Sequence, residues 1–227
     1  MDFIFMLTRN DRTVSNCLDV LDEIAGLGIR HIGFKDIGVS RDTLKELVRR
    51  IGAMNATSWM EVVSTTADSI RTSIETAADI GANRVLGGQD IAFARRTLAG
   101  DTAYYPFPGR PVDHPTRLEG LRAEIETDCR QIAKAGCAGA DLLAYRAVDD
   151  DPLALVRAAR KGLGNGDLIV AGDVDSPARM EALARAGANA ITIGTAIFNG
   201  AFAPEQPTLA ARCMAALKNC RAISASI

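Results

Sequence analysis

A lysine and a glutamate stand where they could move protons between them. Lys35 ends the segment His31-Ile32-Gly33-Phe34-Lys35, and Glu61 lies inside the otherwise apolar segment Trp59-Met60-Glu61-Val62. Side chains alternate across a strand, so Lys35 shares a face with Gly33 and His31. A carboxylate in an apolar strand is costly without a partner, and Lys35 on an adjacent strand supplies one. The pair could share proton transfer, with a surface ion pair and a structural salt bridge as the alternatives.

Polar side chains at other strand ends could orient a substrate. Gln89 follows Gly87-Gly88 and could hydrogen-bond a hydroxyl, and Arg146 could bind a carboxylate or phosphate. Arg110 and His114 lie in the aromatic, proline-containing segment 104–116. This segment could cover the site as a lid or form an aromatic cluster in a subunit interface. After the first strand comes the polar run Thr8–Asp11, either at the mouth of the site or in a solvated loop.

Two glycine turns near the C-terminus favour an anion site. Gly172-Asp173 follows the apolar segment 168–171, and Gly194-Thr195 follows the segment 190–193. Glycine turns after neighbouring parallel strands leave backbone N–H groups bare, and a following helix start adds to them. Simple turn geometry is the alternative. A carboxylate at Asp173 would repel a phosphate unless it pointed away or acted through a cation.

The elements that must position these residues alternate regularly along the chain. Helical segments that end at a glycine precede short apolar strands at Gly26, Gly81, Gly136 and Gly187. We predict strands at 2–7, 30–35, 57–63, 84–87, 102–105, 141–145, 168–171 and 190–193. Helices are predicted near 14–26, 41–53, 67–81, 91–98, 117–135, 153–162, 177–186 and 207–218, with caps at Thr13, Ser40, Thr66, Thr116 and Ser176. The pattern predicts an α/β fold, a single (β/α)8 TIM barrel over residues 1–227, with an open doubly wound sheet as the alternative.

The composition argues against a protein that binds nucleic acid or a membrane. The 227 residues are 48% hydrophobic and 24% charged with a net charge of −2, which gives no reason to expect nucleic acid or a membrane as partner. The N-terminus lacks a basic region before its apolar run, so we do not expect a signal peptide. Five cysteines without a Cys-x-x-Cys pair indicate reduced thiols and a cytoplasmic protein. We expect no cofactor, and leave a divalent metal and a homo-oligomer open.

The segment Leu168–Phe198 resembles the ribulose-phosphate binding barrel superfamily, which includes sugar-phosphate isomerases, epimerases and decarboxylases. The resemblance rests on Val170–Val174 and Ile191–Ile197, which look like that family's two phosphate-binding turns. It implies a phosphate on the amides near Gly172, Asp173, Gly194 and Thr195, and catalytic groups at the early strand ends. Lys35 matches the strand-end lysine of the epimerases. Of the decarboxylases' Asp-x-Lys-x-x-Asp pattern, this chain keeps only the lysine.

These observations predict an enzyme acting on a small phosphorylated sugar or sugar acid. The leading hypothesis is an isomerase or epimerase, in which Glu61 removes a proton next to a carbonyl and Lys35 stabilises the oxyanion or returns the proton. The second is a lyase, either an aldolase with a Lys35 Schiff base or a decarboxylase. The third is a non-catalytic barrel that binds a phosphorylated metabolite and acts through a partner.

Overall fold

Eight parallel strands form a barrel in the computed structural model, which describes residues 1–113 and 115–226. The strands of the described residues are β1 (Asp2–Met6), β2 (Thr8–Arg9), β3 (Arg12–Thr13), β4 (His31–Lys35), β5 (Thr57–Val62), β6 (Arg84–Gly87), β7 (Ala103–Tyr105), β8 (Arg110–Val112), β9 (Arg117–Glu119), β10 (Gly139–Leu142), β11 (Asp167–Val170) and β12 (Ala190–Ile193). Barrel neighbours follow the order β10-β11-β12-β1-β4-β5-β6-β7. The N–H groups of Ala138 and Asp141 donate to the carbonyls of Tyr104 and Pro106, each at 3.1 Å, and join the two sheet edges. The predicted barrel is therefore confirmed over the open sheet.

Helices surround this barrel because most strands are followed by one. In the same residues they are α1 (Cys17–Ile24), α2 (Arg41–Ala53), α3 (Ala67–Ile80), α4 (Ile91–Thr97), α5 (Arg122–Lys134), α6 (Pro152–Leu163), α7 (Pro177–Ala186), α8 (Thr195–Phe198) and α9 (Leu209–Ser226). The predicted caps Ser40, Thr66 and Ser176 each accept a hydrogen bond from the amide three residues later. None of the helices described is long and apolar enough to cross a membrane.

The barrel has an apolar floor and a polar upper layer. Inward side chains form a separate cluster inside the barrel, made of Ile4, Met6, Trp59, Leu86, Tyr105, Ile169 and Ala190. Glu61 pairs in register with Leu86, and Lys35 pairs with Glu61. Residues in register on neighbouring strands share a face, so Lys35 and Glu61 also point into the barrel. Alternation in the sequence put Lys35 on one face with Gly33, and the register with Met6 and Trp59 shows that this face is the inward one.

Two of the predicted caps have other roles. Thr13 lies in the small hairpin β2–β3, and its Oγ1 accepts from the Lys35 amide and donates to the Lys35 carbonyl, both at 2.8 Å. Thr116 precedes β9, which pairs with β8, so the helix predicted from residue 117 begins only at Arg122. The Thr13 hydroxyl therefore binds a distant strand, and Thr116 lies before a hairpin strand instead of a helix, and a local cap pattern reveals neither.

The sixth barrel strand is displaced from its predicted range. β10 covers Gly139–Leu142 instead of 141–145, and a 3-10 turn follows at Ala144–Arg146. A Cβ on Gly139 would lie 1.8 Å from the Asp167 carbonyl oxygen, so glycine permits the close start of the β10–β11 pairing. Asp141 consequently lies inside the strand, and Arg146 lies on a turn beyond it.

Candidate active site

A cavity of about 410 Å³ lies at the carboxyl ends of the barrel strands. Active sites of (β/α)8 barrels occupy this end. Most of the predicted site residues line it, namely Lys35, Glu61, Arg146, Gly172, Asp173, Gly194 and Thr195. Groups that are far apart in the sequence therefore share one cavity.

Lys35 is held between two carboxylates at the bottom of this cavity. Its Nζ lies 2.8 Å from Asp11 Oδ1 and 3.3 Å from Glu61 Oε1. The side chains of Lys35, Asp11 and Glu61 are only 6%, 3% and 4% exposed. The predicted lysine–glutamate pair thus forms, with Asp11 as an additional partner. Burial with close opposite charges fixes the ammonium group in position.

Asp11 also binds Arg146 through both of its oxygens. The Arg146 NH1 group donates to Asp11 Oδ2 at 2.6 Å, and NH2 donates to Oδ1 at 2.9 Å. The Thr116 amide donates to Asp11 Oδ2 at 3.1 Å, and Arg146 donates to the Thr116 carbonyl at 3.3 Å. Although burial opposes ionisation, the hydrogen bonds and charges of Arg146 and Lys35 hold the pKa of Asp11 well below its usual range. Asp11 is therefore a carboxylate that anchors both cations.

Asp141 is a buried acid without a hydrogen-bond partner in the described part of the chain. Its side chain is 0% exposed, and neither carboxyl oxygen has a partner there. Burial raises the pKa of Asp141 well above its ordinary value, and the charge of Glu61 raises it further. Sequence reasoning missed Asp141, although an acid in the apolar run Ala140-Asp141-Leu142 carries the same signal as Glu61.

The predicted anion cradle comes from the turns after β11 and β12. Gly172 and Asp173 both have positive φ, at 79° and 55°, and Gly194 caps the short helix α8. The first amides of a helix have no intrahelical acceptor, so those of Thr195 and Ala196 need a partner from outside α8. The Thr195 hydroxyl itself accepts from the Asn10 amide at 3.1 Å.

Glycine is needed in the cradle for close packing as well. A Cβ on Gly172 would lie 2.6 Å from Arg146 Nε, and a Cβ on Gly194 would lie 2.5 Å from Thr8 Oγ1. These glycines therefore let Arg146 and the end of β1 approach the two turns.

Two arginines bring positive charge to the cradle. Arg179 lines the cavity, lies 4.5 Å over the Tyr145 ring and forms an ion pair with Asp175 at 3.0 Å. The Nε of Arg146 lies 3.7 Å from Asp173 Oδ1, and the Asp173 side chain is 59% exposed. The Asp173 carboxylate is thus exposed and next to a cation, which reduces its repulsion of an anion. Nothing in the sequence singled out Arg179.

Two other predicted substrate-binding residues, Gln89 and Arg110, do not line this cavity. Gln89 Nε2 donates to the Gly109 carbonyl at 2.5 Å, and therefore holds the loop after β7. Arg110 is exposed in the hairpin β8–β9 and pairs with Glu124 at 2.8 Å. His114 lies outside the described residues. Gln89 follows a strand end as predicted and Arg110 lies in the loop region after β7, but both side chains are bound to neighbouring elements.

The described residues contain no group of three or more histidine, cysteine, aspartate or glutamate side chains arranged to hold a metal ion. Their five cysteines are free, and four are buried.

Comparison with known proteins identifies the fold. No protein-family model matches the chain, and no curated protein does. The crystal structure of orotidine 5'-phosphate decarboxylase from Pyrococcus horikoshii OT3 matches with a TM-score of 0.66 and 12% sequence identity, over 96% of this chain and 99% of that chain. The prediction of an isomerase or epimerase is contradicted by this match, because the similar protein is a decarboxylase, which is a lyase. At this identity the likeness establishes the architecture alone, which is the (β/α)8 barrel predicted from the sequence.

Proposed function

We propose that this protein is a lyase that decarboxylates a small phosphorylated substrate at the mouth of the barrel. One observation carries the proposal: a buried ammonium group, Lys35, and an amide-and-arginine cradle share a cavity of about 410 Å³. The likeness to a solved decarboxylase supports the same reaction class. The cavity volume suits a small sugar-phosphate or nucleotide-sized ligand.

Lys35 has the charge and position that decarboxylation requires. When the bond between carbon and carboxylate breaks, carbon dioxide leaves and the electron pair stays on carbon as a carbanion. A nearby ammonium group stabilises that charge and can supply the proton that completes the product. Asp11 and Glu61 hold Lys35 in place for this step. No cofactor is needed in this scheme.

The cradle would bind the phosphate group away from the reacting carbon. The amides of Thr195 and Ala196, the turn at Gly172-Asp173 and the Arg179 guanidinium provide the donors. Binding energy from a remote phosphate can be used to position the reacting part of the substrate. Gly194 contributes by keeping the turn close to β1.

The contacts of Lys35 favour decarboxylation over an aldolase. A Schiff base forms from the neutral amine, whereas Lys35 Nζ donates to Asp11 at 2.8 Å and lies 3.3 Å from Glu61, as expected for an ammonium group. Borohydride reduction in the presence of substrate would trap a covalent adduct on Lys35 only in the aldolase.

Carbon dioxide release tests the proposal directly. Wild-type protein, Lys35→Met and the control Lys161→Met are incubated with phosphorylated sugar acids and with orotidine 5'-phosphate. Lys161 is a suitable control because it is a surface lysine, with its side chain 73% exposed. We expect Lys35→Met to reduce release by about 100-fold or more, the usual contribution of a positioned acid. Unchanged release in Lys35→Met, or a borohydride-trapped adduct with no carbon dioxide, would reject decarboxylation.

A further inference from the structure

The Asp141 carboxyl group points into the barrel. Asp141 on β10 pairs in register with Ile169 on β11, and Ile169 belongs to the inner apolar cluster. Neighbours in register share a face, so Asp141 faces the interior as well. It is completely buried, and neither oxygen has a partner within residues 1–113 and 115–226. A buried carboxyl without a partner is much less costly when it is neutral.

The charges around Asp141 also favour the neutral acid. The groups that act on it are Lys35 on β4, Glu61 on β5 and Arg146 on the turn after β10. The two cations, Lys35 and Arg146, are already neutralised by two carboxylates, Asp11 and Glu61. Ionisation of Asp141 would add a further negative charge next to Glu61 in a dry interior. Burial first, and Glu61 second, raise the pKa of Asp141.

We infer that Asp141 is the proton reservoir of this site, which holds the proton that replaces the one Lys35 gives to the product. The inference rests on the proposed decarboxylation. That reaction consumes one proton per turnover, because a carboxylate becomes carbon dioxide and a C–H bond. A bound substrate would fill the cavity above Lys35, whose side chain is only 6% exposed, and so keep water from replacing the proton.

The proton balance is complete in this scheme. Lys35 protonates the carbanion and becomes a neutral amine. Asp141 then loses its proton and Lys35 regains one through Glu61, whose charge acts on Asp141 and whose Oε1 lies 3.3 Å from Lys35 Nζ. Asp141 and Glu61 are not hydrogen-bonded before reaction, so the transfer requires rotation of a carboxyl group. After product leaves, water enters the open cavity, and a proton returns from it to Asp141 by the same route through Lys35 and Glu61. Asp141 acts through Lys35 and is a positioning residue that need not touch the substrate.

Infrared spectroscopy tests the protonated state without any ligand. The protein at neutral pH should show the carbonyl stretch of an un-ionised carboxylic acid, and Asp141→Asn should lack it. Asp36→Asn is the matched control, because Asp36 is a half-buried carboxyl that is hydrogen-bonded by the Ser73 hydroxyl and the Val63 amide. If the band is absent from the wild-type protein, or disappears only in Asp36→Asn, the inference is overturned. An alkaline titration of the wild-type band decides the matter if Asp141→Asn does not fold.

Turnover provides the second test. With a substrate that releases carbon dioxide in the assay above, Asp141→Asn should complete one turnover per site at the wild-type rate and then slow at least tenfold. A purely structural role would change both phases, and an unchanged steady state would overturn the inference. Failure of the proposed function is distinguishable, since wild-type protein would then release no carbon dioxide even though the infrared band was present.

Discussion

Replacing Lys35 with methionine should destabilise the protein strongly, because it leaves a buried carboxylate alone. Asp11 would keep both hydrogen bonds from Arg146 and one from the Thr116 amide. Glu61 would lose Lys35, the one cation within 4 Å of it in the described residues, with its side chain only 4% exposed. Removing one partner of a buried ion pair costs about 3–5 kcal/mol. We therefore expect a loss of about that size in the free energy of unfolding.

Urea denaturation at neutral pH measures this loss, and two further variants identify its cause. In Lys35→Met/Glu61→Gln no unpaired charge remains on Glu61, so the double variant should recover about 1–3 kcal/mol relative to the single one. Lys161→Met removes a surface lysine 3.1 Å from Glu126 and should cost less than about 1 kcal/mol.

Two results would refute this account of Lys35. One is a Lys35→Met variant that loses no more stability than Lys161→Met. The other is a double variant whose loss equals the sum of its two single losses, since the two residues would then not be coupled. The slope of the urea transition must stay constant for either comparison to hold.

Three other substitutions test the cradle and Asp11. Gly194→Ala should lower the free energy of unfolding by about 1–3 kcal/mol through overpacking, because the new Cβ would lie 2.5 Å from Thr8 Oγ1. Gly26→Ala is the control, because a Cβ there would meet nothing within 4 Å. Equal thermal unfolding of the two variants would contradict this prediction. Arg179→Gln should weaken binding of inorganic phosphate by about 10–100-fold through loss of a charged hydrogen bond, and unchanged affinity in titration calorimetry would argue against a phosphate there. The pKa of Asp11 is lowered in the folded state, so the unfolded state binds more protons between the two pKa values and stability rises with pH in that window. Asp11→Asn should therefore be less stable than wild type at neutral pH, and the difference between their urea midpoints should narrow below about pH 4. A difference that stays constant with pH would contradict this prediction.

The sequence alone predicted the features that repeat locally. Strand side chains alternate with a fixed period, so the face that Lys35 shares with Gly33 could be read directly from the sequence, whereas the register of the strands showed that this face is inward. The caps at Ser40 and Ser176 depend on contacts three residues away, and both form. The alternation of apolar strands with helices that end at a glycine predicted the eight-stranded barrel.

Tertiary structure decided which of the polar residues meet. Asp11, Thr116 and Arg146 are distant in sequence, and closure of the barrel brings them to hydrogen-bond distance. Gln89 lies at a strand end as predicted, but its side chain donates to the Gly109 carbonyl in the loop after β7. Asp141 lies inside β10, and not at its start as predicted, because that strand begins at Gly139. Backbone geometry fixes the face of a residue within its strand, whereas its partners depend on packing between elements far apart in the chain.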